Sequence, residues 1–252
     1  MQLNNIPEEQ HNIEIHQNLK SWQSKPVLRK IYADFYKLLA SQVDQRISGK
    51  IVELGSGIGN LKMMIPEVVC TDIFDNPWID QVENAYKLTF DDNSVSNLIL
   101  FDVLHHLKYP GNAFDEFKRV LAENGRVIIF EPSVSLVGRL VYGVFHHEPL
   151  GLKEKITWSI SNNSDLTKGE YYAAQGNAHR IFYKNDYKEF LSDWEIITVK
   201  RISSISYILS GGYSKRQMFP GVLFPVLKLV DRLFNTMPPI FSTRMLVVLK
   251  KI

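Results

Sequence analysis

The sequence predicts an α/β fold: a mostly parallel, seven-stranded sheet with helices on both faces. Three observations carry this reading. Short apolar runs alternate with segments of helical period. The first run ends in an acid and passes straight into three glycines at alternate positions, IVELGSGIGN over residues 51–60. The last run, MLVVL, is apolar throughout, as a strand buried on both sides should be.

The elements follow in order. Residues 26–47 read as a helix, with Leu28, Ile31, Tyr32, Phe35, Leu38 and Leu39 at helical spacing and Pro26 suited to a first turn. A strand over 50–54 precedes the glycines, and a helix is expected over 58–64. Strands follow over 67–71, closed by Asp72, then 82–86 and 96–101. Residues 112–123 form a helix with Phe114, Phe117, Val120 and Leu121 on one face, stopped by Asn124-Gly125. A fifth strand covers 126–130, a short helix 186–191, a sixth strand 194–201 and a last strand 244–249. Two segments break the alternation, 132–180 and 203–240. Ligands in such sheets bind beyond the carboxyl ends of the strands, so either segment could cover a site there.

Composition narrows the classes. The chain of 252 residues is 45% apolar, enough for a core in a single domain. Its net charge of +2 gives no electrostatic reason to expect nucleic acid. The lone cysteine, Cys70, allows no intrachain disulfide and no cysteine zinc cluster, which fits a reducing cytoplasm. The first residues have neither the basic start nor the apolar core of a signal peptide, and no apolar run is long enough to span a membrane.

Glycines between a strand and a helix permit a tight turn and close approach of a ligand to the backbone. Their spacing, G-x-G-x-G at Gly55, Gly57 and Gly59, is neither a dinucleotide fingerprint nor a phosphate loop, so an NAD-dependent dehydrogenase is disfavoured. Glu53-Leu54-Gly55-Ser56-Gly57-Ile58-Gly59 resembles the first motif of the class I S-adenosylmethionine-dependent methyltransferases. The stretch from Leu88 to Pro132, containing VLHHL and ending in FEP, is similar to the family's fourth and fifth strands, closest to the subgroup that includes quinone-biosynthesis methyltransferases. The resemblance implies a Rossmann-like fold, with residues 1–48 a helical cap, 49–132 a cofactor-binding core, 133–180 a lid-like insertion, and 181–252 the rest of the sheet with an apolar helical insertion at about 203–240. It implies S-adenosylmethionine as cofactor and S-adenosylhomocysteine as product. The implied cofactor-binding residues are Glu53, for the ammonium, Gly55, Ser56, Gly57, Gly59, Asp72 with Ile73 for the ribose, Asn84 and Ala85 where members often carry an acid for the adenine, and Phe101. A carboxylate such as Asp72 can accept from both ribose hydroxyls, and the Asn84 amide oxygen can still accept from an amino group.

Methyl transfer to a hydroxyl needs a group to take a proton, and histidine is the usual one near neutral pH. The candidates are His105 and His106 after the fourth strand, His146 and His147 in GVFHHEP, and His179 before the short helix. Each has a plain alternative: packing or capping for the strand-end pair, a solvated turn before Pro149 for the second. Glu148 could orient a neighbouring histidine, while His146, His147 and Glu148 alone make a poor metal set, so no metal is assigned. Arg180 could hold a carboxylate or phosphate, or form a surface ion pair. MFPGVLFPVLKLVDRLF, residues 218–234, reads as a helix packed on the sheet or at a homodimer interface, or as a surface for a membrane or lipid-linked acceptor. The expected acceptor is a small molecule, free or linked to a glycan or lipid, with a hydroxyl favoured. A C-methyltransferase acting on a quinone-like ring and a non-catalytic subunit that binds S-adenosylmethionine remain as alternatives, and the expected location is cytoplasmic or peripheral to a membrane.

Overall fold

The computed structural model describes residues 8–145, 148–161 and 172–252. Seven strands form one sheet in the order β3-β2-β1-β4-β5-β7-β6. They are β1 Lys50–Leu54, β2 Val69–Asp72, β3 Gln81–Val82, β4 Val95–Phe101, β5 Leu121–Pro132, β6 Trp194–Ser203 and β7 Ser242–Lys251. Strands β1 to β5 pair in parallel, and β7 runs antiparallel between β5 and β6. The strand order reverses between β1 and β4, which opens a crevice at their carboxyl ends.

Alternate residues serve opposite faces, as the pleat requires. Leu98, Leu100, Val127, Ile129, Val247 and Leu249 join one core, into which α3 (Pro110–Val120) inserts Phe114 and Phe117. Ile99, Ile128, Phe130, Leu246 and Val248 join the other, under α2 (Pro26–Ala40), which brings Ile31, Phe35 and Leu39. Each such side chain contributes about 1.5–3 kcal/mol by leaving water.

Several boundaries differ from the sequence reading. The first expected helix stops at Ala40, and a separate α1 (Glu8–Ser24) precedes it. The expected helix after the glycines is one 3-10 turn, Asn60–Met63, because positive φ at Gly59 and the turn before β2 leave no room for more. Strand β3 has two residues. Asn84 lies beyond it, where its side-chain oxygen accepts from the Tyr86 backbone N–H at 2.9 Å and closes a turn. The short helix before β6 is a 3-10 turn, Lys188–Leu191. After β5 come α4 (Leu136–Leu140) and a π turn, Val141–Phe145. After β6 come α5 (Ile205–Ser210), α6 (Phe224–Phe234) and α7 (Pro238–Phe241), which leads directly into β7. No helix among the described residues is long and apolar enough to cross a membrane.

Candidate active site

The glycine loop is tied to β2 before any ligand is considered. Ser56 donates its backbone N–H to the Thr71 carbonyl at 2.8 Å, and its hydroxyl accepts from Thr71 N–H at 3.1 Å. The Gly57 N–H reaches Asp72 Oδ2 at 2.9 Å, while Asp72 Oδ1 accepts from Ile73 N–H at 2.8 Å. Two of the three glycines show different demands. A Cβ on Gly55 would lie 2.5 Å from a methyl of Val103, so that glycine serves close packing of loop against β4's end. A Cβ on Gly57 would meet only Ile15 Cδ1, at 3.6 Å, so its φ of +55° and the open volume above it are both available to a ligand.

That volume is covered by α1. Ile15 is buried there, His11 Nε2 stands 3.4 Å from Asp72 Oδ1, and the His11 ring lies 5.1 Å from Phe74. Burial opposes charge on His11, but the hydrogen bond and charge of Asp72 outweigh it and raise its pKa. Glu53 is buried on β1, 3.8 Å from Cys70 Sγ. Burial, with a smaller contribution from Asp72, pushes its carboxyl up to about 8. On the other side of the loop, the Asn60 side-chain nitrogen is buried without a hydrogen-bond partner. Phe101 has its ring engaged by the protein itself, stacked on Tyr32 at 5.4 Å and edge-on to Phe130. Ala85 packs against the α3-side core.

A second polar centre follows β4. The chain turns through Leu104–His106, with His105 buried. Its Nδ1 is 2.6 Å from Glu131 Oε2 at the end of β5, and Glu131 Oε1 accepts from Leu104 N–H at 2.7 Å. Burial alone would depress the His105 pKa, but the Glu131 charge and hydrogen bond raise it to about 10. His106 donates Nδ1–H to the Tyr172 carbonyl at 2.9 Å. Burial and the neighbouring His105 charge lower its pKa to about 4. Glu148 joins both rings, 3.6 Å from His105 Nε2 and 3.9 Å from His106 Nε2, and accepts from the Gln175 side-chain amide. The segment carrying Tyr172 to Gln175 is bound to this turn by Ala174 N–H donating to the His105 carbonyl at 2.9 Å.

Beneath the same strand end, Arg244 is buried and grips Asp102 through two contacts of 2.5 and 2.6 Å. Its guanidinium lies 4.9 Å from the Tyr207 ring centroid and 5.3 Å from that of Phe101. Asp102 takes a positive φ of +58°, the kink that turns the chain toward His105.

The expected site residues therefore divide. The structure brings Glu53, Gly55, Ser56, Gly57, Gly59, Asp72 and Ile73 together at the β1–β2 ends, and His105 and His106 together at the β4 end. His146 and His147 lie outside the described residues. His179 is buried, with its ring stacked on Tyr183 at 4.9 Å. Burial and then Arg201 hold its pKa near 4. Arg180 is occupied structurally, donating to the Gly151 carbonyl at 3.0 Å. His11, Glu131, Gln175 and Arg244 were not read from the sequence. Glu131, the acid closing the apolar run RVIIFE, is the one whose position carried a signal.

Parts of the chain resemble known proteins. A sequence model described as a methyltransferase domain matches residues 52–129. A probable polyketide synthase of Dictyostelium discoideum is 40% identical over 48 residues, 19% of this chain. The chain spans only 2% of that relative's length. Among solved structures, it resembles geranyl diphosphate C-methyltransferase from Streptomyces coelicolor A3(2), with a TM-score of 0.51 and 12% identity over 89% of this chain and 80% of that one. A protein of Pyrococcus horikoshii OT3 gives a TM-score of 0.49 at 14% identity, covering 89% of this chain and 91% of that one.

Proposed function

We propose that this chain, which carries a methyltransferase-domain match over residues 52–129, is a class I S-adenosylmethionine-dependent methyltransferase that methylates a hydroxyl on a small acceptor carried by a lipid or a lipid-linked glycan. The donor fits the residues present. Gly57 leaves open the volume a side chain would fill, and Asp72 offers a carboxylate already oriented by two backbone N–H groups. Asp72 would accept from the ribose hydroxyls, the glycine loop and Glu53 would meet the amino-acid end, and α1 would close over both. When bound, the donor supplies a methyl group on a sulfonium sulfur, which departs as the neutral thioether of S-adenosylhomocysteine.

The chain's own work is then to place the acceptor in line and to dispose of its proton. The observation that carries the hydroxyl reading is the convergence of His105, His106 and Glu148, whose ligand atoms lie within 4.8 Å of one another, just past the strand end that touches the glycine loop. With His105 already holding its proton, the hydroxyl oxygen would form its new bond to carbon as its proton passes to the Glu148 carboxylate or to neutral His106; a ring carbon loses its proton only after the methyl has arrived.

Exposed apolar side chains favour a lipid-borne acceptor. Val222, Val226, Leu229 and Leu233 on and before α6, and Leu136 and Leu140 on α4, all face solvent. α4 packs beside α7, and its neighbours at residues 133–135 follow directly from the β5 end that holds Glu131. An apolar surface of this kind beside a polar centre suits an acceptor presented at a membrane surface.

The test is incubation with methyl-labelled S-adenosylmethionine and fractionated lipid and glycolipid extracts. Label in the organic phase with an O-methyl NMR signature is expected. Label on a ring carbon would replace the hydroxyl reading with C-methylation, and tight donor binding without any transfer would favour a non-catalytic subunit.

A further inference from the structure

The centre at the end of β4 has the arrangement of a metal site. His105 and His106 are consecutive residues of one 3-10 turn, with ring centroids 4.1 Å apart and planes inclined by 41°, and the Nε2 atoms of both rings lie within 4 Å of the Glu148 carboxylate. Each Nδ1 is engaged on the protein side, one by the Glu131 carboxylate and one by the Tyr172 carbonyl. Both partners are acceptors, so each Nδ1 carries the hydrogen. On His106 the Nε2 lone pair is then already present, whereas on His105, held protonated beside Glu131, an ion binding at Nε2 displaces a proton. A ligand histidine that donates its other N–H to a carboxylate or backbone carbonyl is the usual supporting arrangement around a bound metal. Gln175 supplies the same support to Glu148 through its side-chain amide.

The two carboxylates meet the rings at different distances. The His105–Glu131 contact, at 2.6 Å, is a short charge-assisted hydrogen bond. The contacts from Glu148 to the two Nε2 atoms, at 3.6 and 3.9 Å, are too long for one. They run from Oε2 to His105 and from Oε1 to His106, each a little beyond the separation of about 3.4 Å between two ligand atoms that each bind a tetrahedral ion at about 2.1 Å, and one ligand atom from each of the three residues lies within 4.8 Å of the others. We propose that His105 Nε2, His106 Nε2 and Glu148 bind one divalent transition-metal ion, with zinc the best match to two imidazoles and a carboxylate. Imidazole donors select against magnesium and calcium, and three protein ligands leave a position open.

Two consequences follow from where the ligands come from. His105 and His106 belong to the sheet end, and Glu148 to the segment covering it, so the ion ties the cover to the core. A hydroxyl bound at the open position would have its proton acidity raised by the ion, and the proton would then pass to solvent, the three side chains being taken up as ligands. This second consequence rests on the proposed function; ion binding itself does not.

The experiment uses the full chain, stripped with chelator and titrated with Co2+ and then Zn2+. One ion per chain, bound at micromolar affinity or tighter with visible Co2+ absorption, is expected. His106→Gln and Glu148→Gln should weaken it by at least tenfold, and Glu131→Gln, which removes only the support of His105, by about 10–100-fold. Circular dichroism and an S-adenosylmethionine titration on the same samples establish that each is folded, and they test the donor site separately. No binding of either ion to wild-type chain that binds the donor overturns the metal site and leaves the methyltransferase reading standing. Equal binding by wild type, His106→Gln and Glu148→Gln overturns it too, since the ion would then sit elsewhere.

Discussion

At Glu53, burial has moved a carboxyl from 4.5 to about 8, and the sign of its effect on stability follows. A carboxyl whose pKa is raised by folding takes up a proton on folding between those two values. Stability from this group is therefore complete below about 4.5 and falls as pH rises to about 8. Thermal melts of wild type and Glu53→Gln across this range should diverge, with the variant losing less Tm toward pH 8. Parallel curves would mean that Glu53 titrates normally. Asp72 accepts backbone N–H groups from Gly57 and Ile73. Asp72→Asn keeps the shape and removes the charge, so donor affinity should fall roughly 10–100-fold, the worth of a hydrogen bond to a charged group. Unchanged affinity by calorimetry would remove Asp72 from the donor site. Gly57→Val should abolish binding, since it occupies the open volume and also forces a branched residue to a φ of +55°.

Two elements decide whether those residues act together. α1 is held to the glycine loop chiefly through Ile15, whose burial contributes about 1.5–3 kcal/mol. Ile15→Ala should loosen the cover and raise the donor's dissociation rate about tenfold in stopped flow, while Phe117→Ala, on the opposite face, should lower Tm with no change in that rate. Equal dissociation rates in wild type and Ile15→Ala would mean that α1 does not cover the donor. β7 contributes Arg244, which closes the sheet beneath the Asp102 kink. Arg244→Met leaves Asp102 without its partner. Asp102 keeps 31% of its side-chain surface exposed, so the loss should stay below the ~3 kcal/mol of a fully buried pair, a drop of roughly 2–6 °C in Tm for a chain of this size. No drop at all would mean that the pair adds nothing to stability.

Over the whole molecule, the parts set by local chemistry were legible in the sequence, and the parts set by distant packing were not. The strand–glycine–strand sequence from Ile51 to Asp72 announced the loop between β1 and β2 because apolar period, glycine spacing and a strand-end acid lie within one short segment. α3 was legible for the same reason, through Phe114 and Phe117. The helix expected after Gly59 shrank to one turn because the return to β2 constrains it, which no propensity records. The meeting of His105, Glu131 and Glu148 joins three segments, and the Arg244–Asp102 pair spans 142 positions. Such contacts arise from sheet order, and a linear pattern does not contain them.

The most direct test of the account is calorimetric titration of the full chain with S-adenosylmethionine and S-adenosylhomocysteine. One molecule of either per chain at micromolar affinity, lost in Gly57→Val, is the predicted result. A folded chain that binds neither, alone or with lipid and glycolipid extract present, would contradict it.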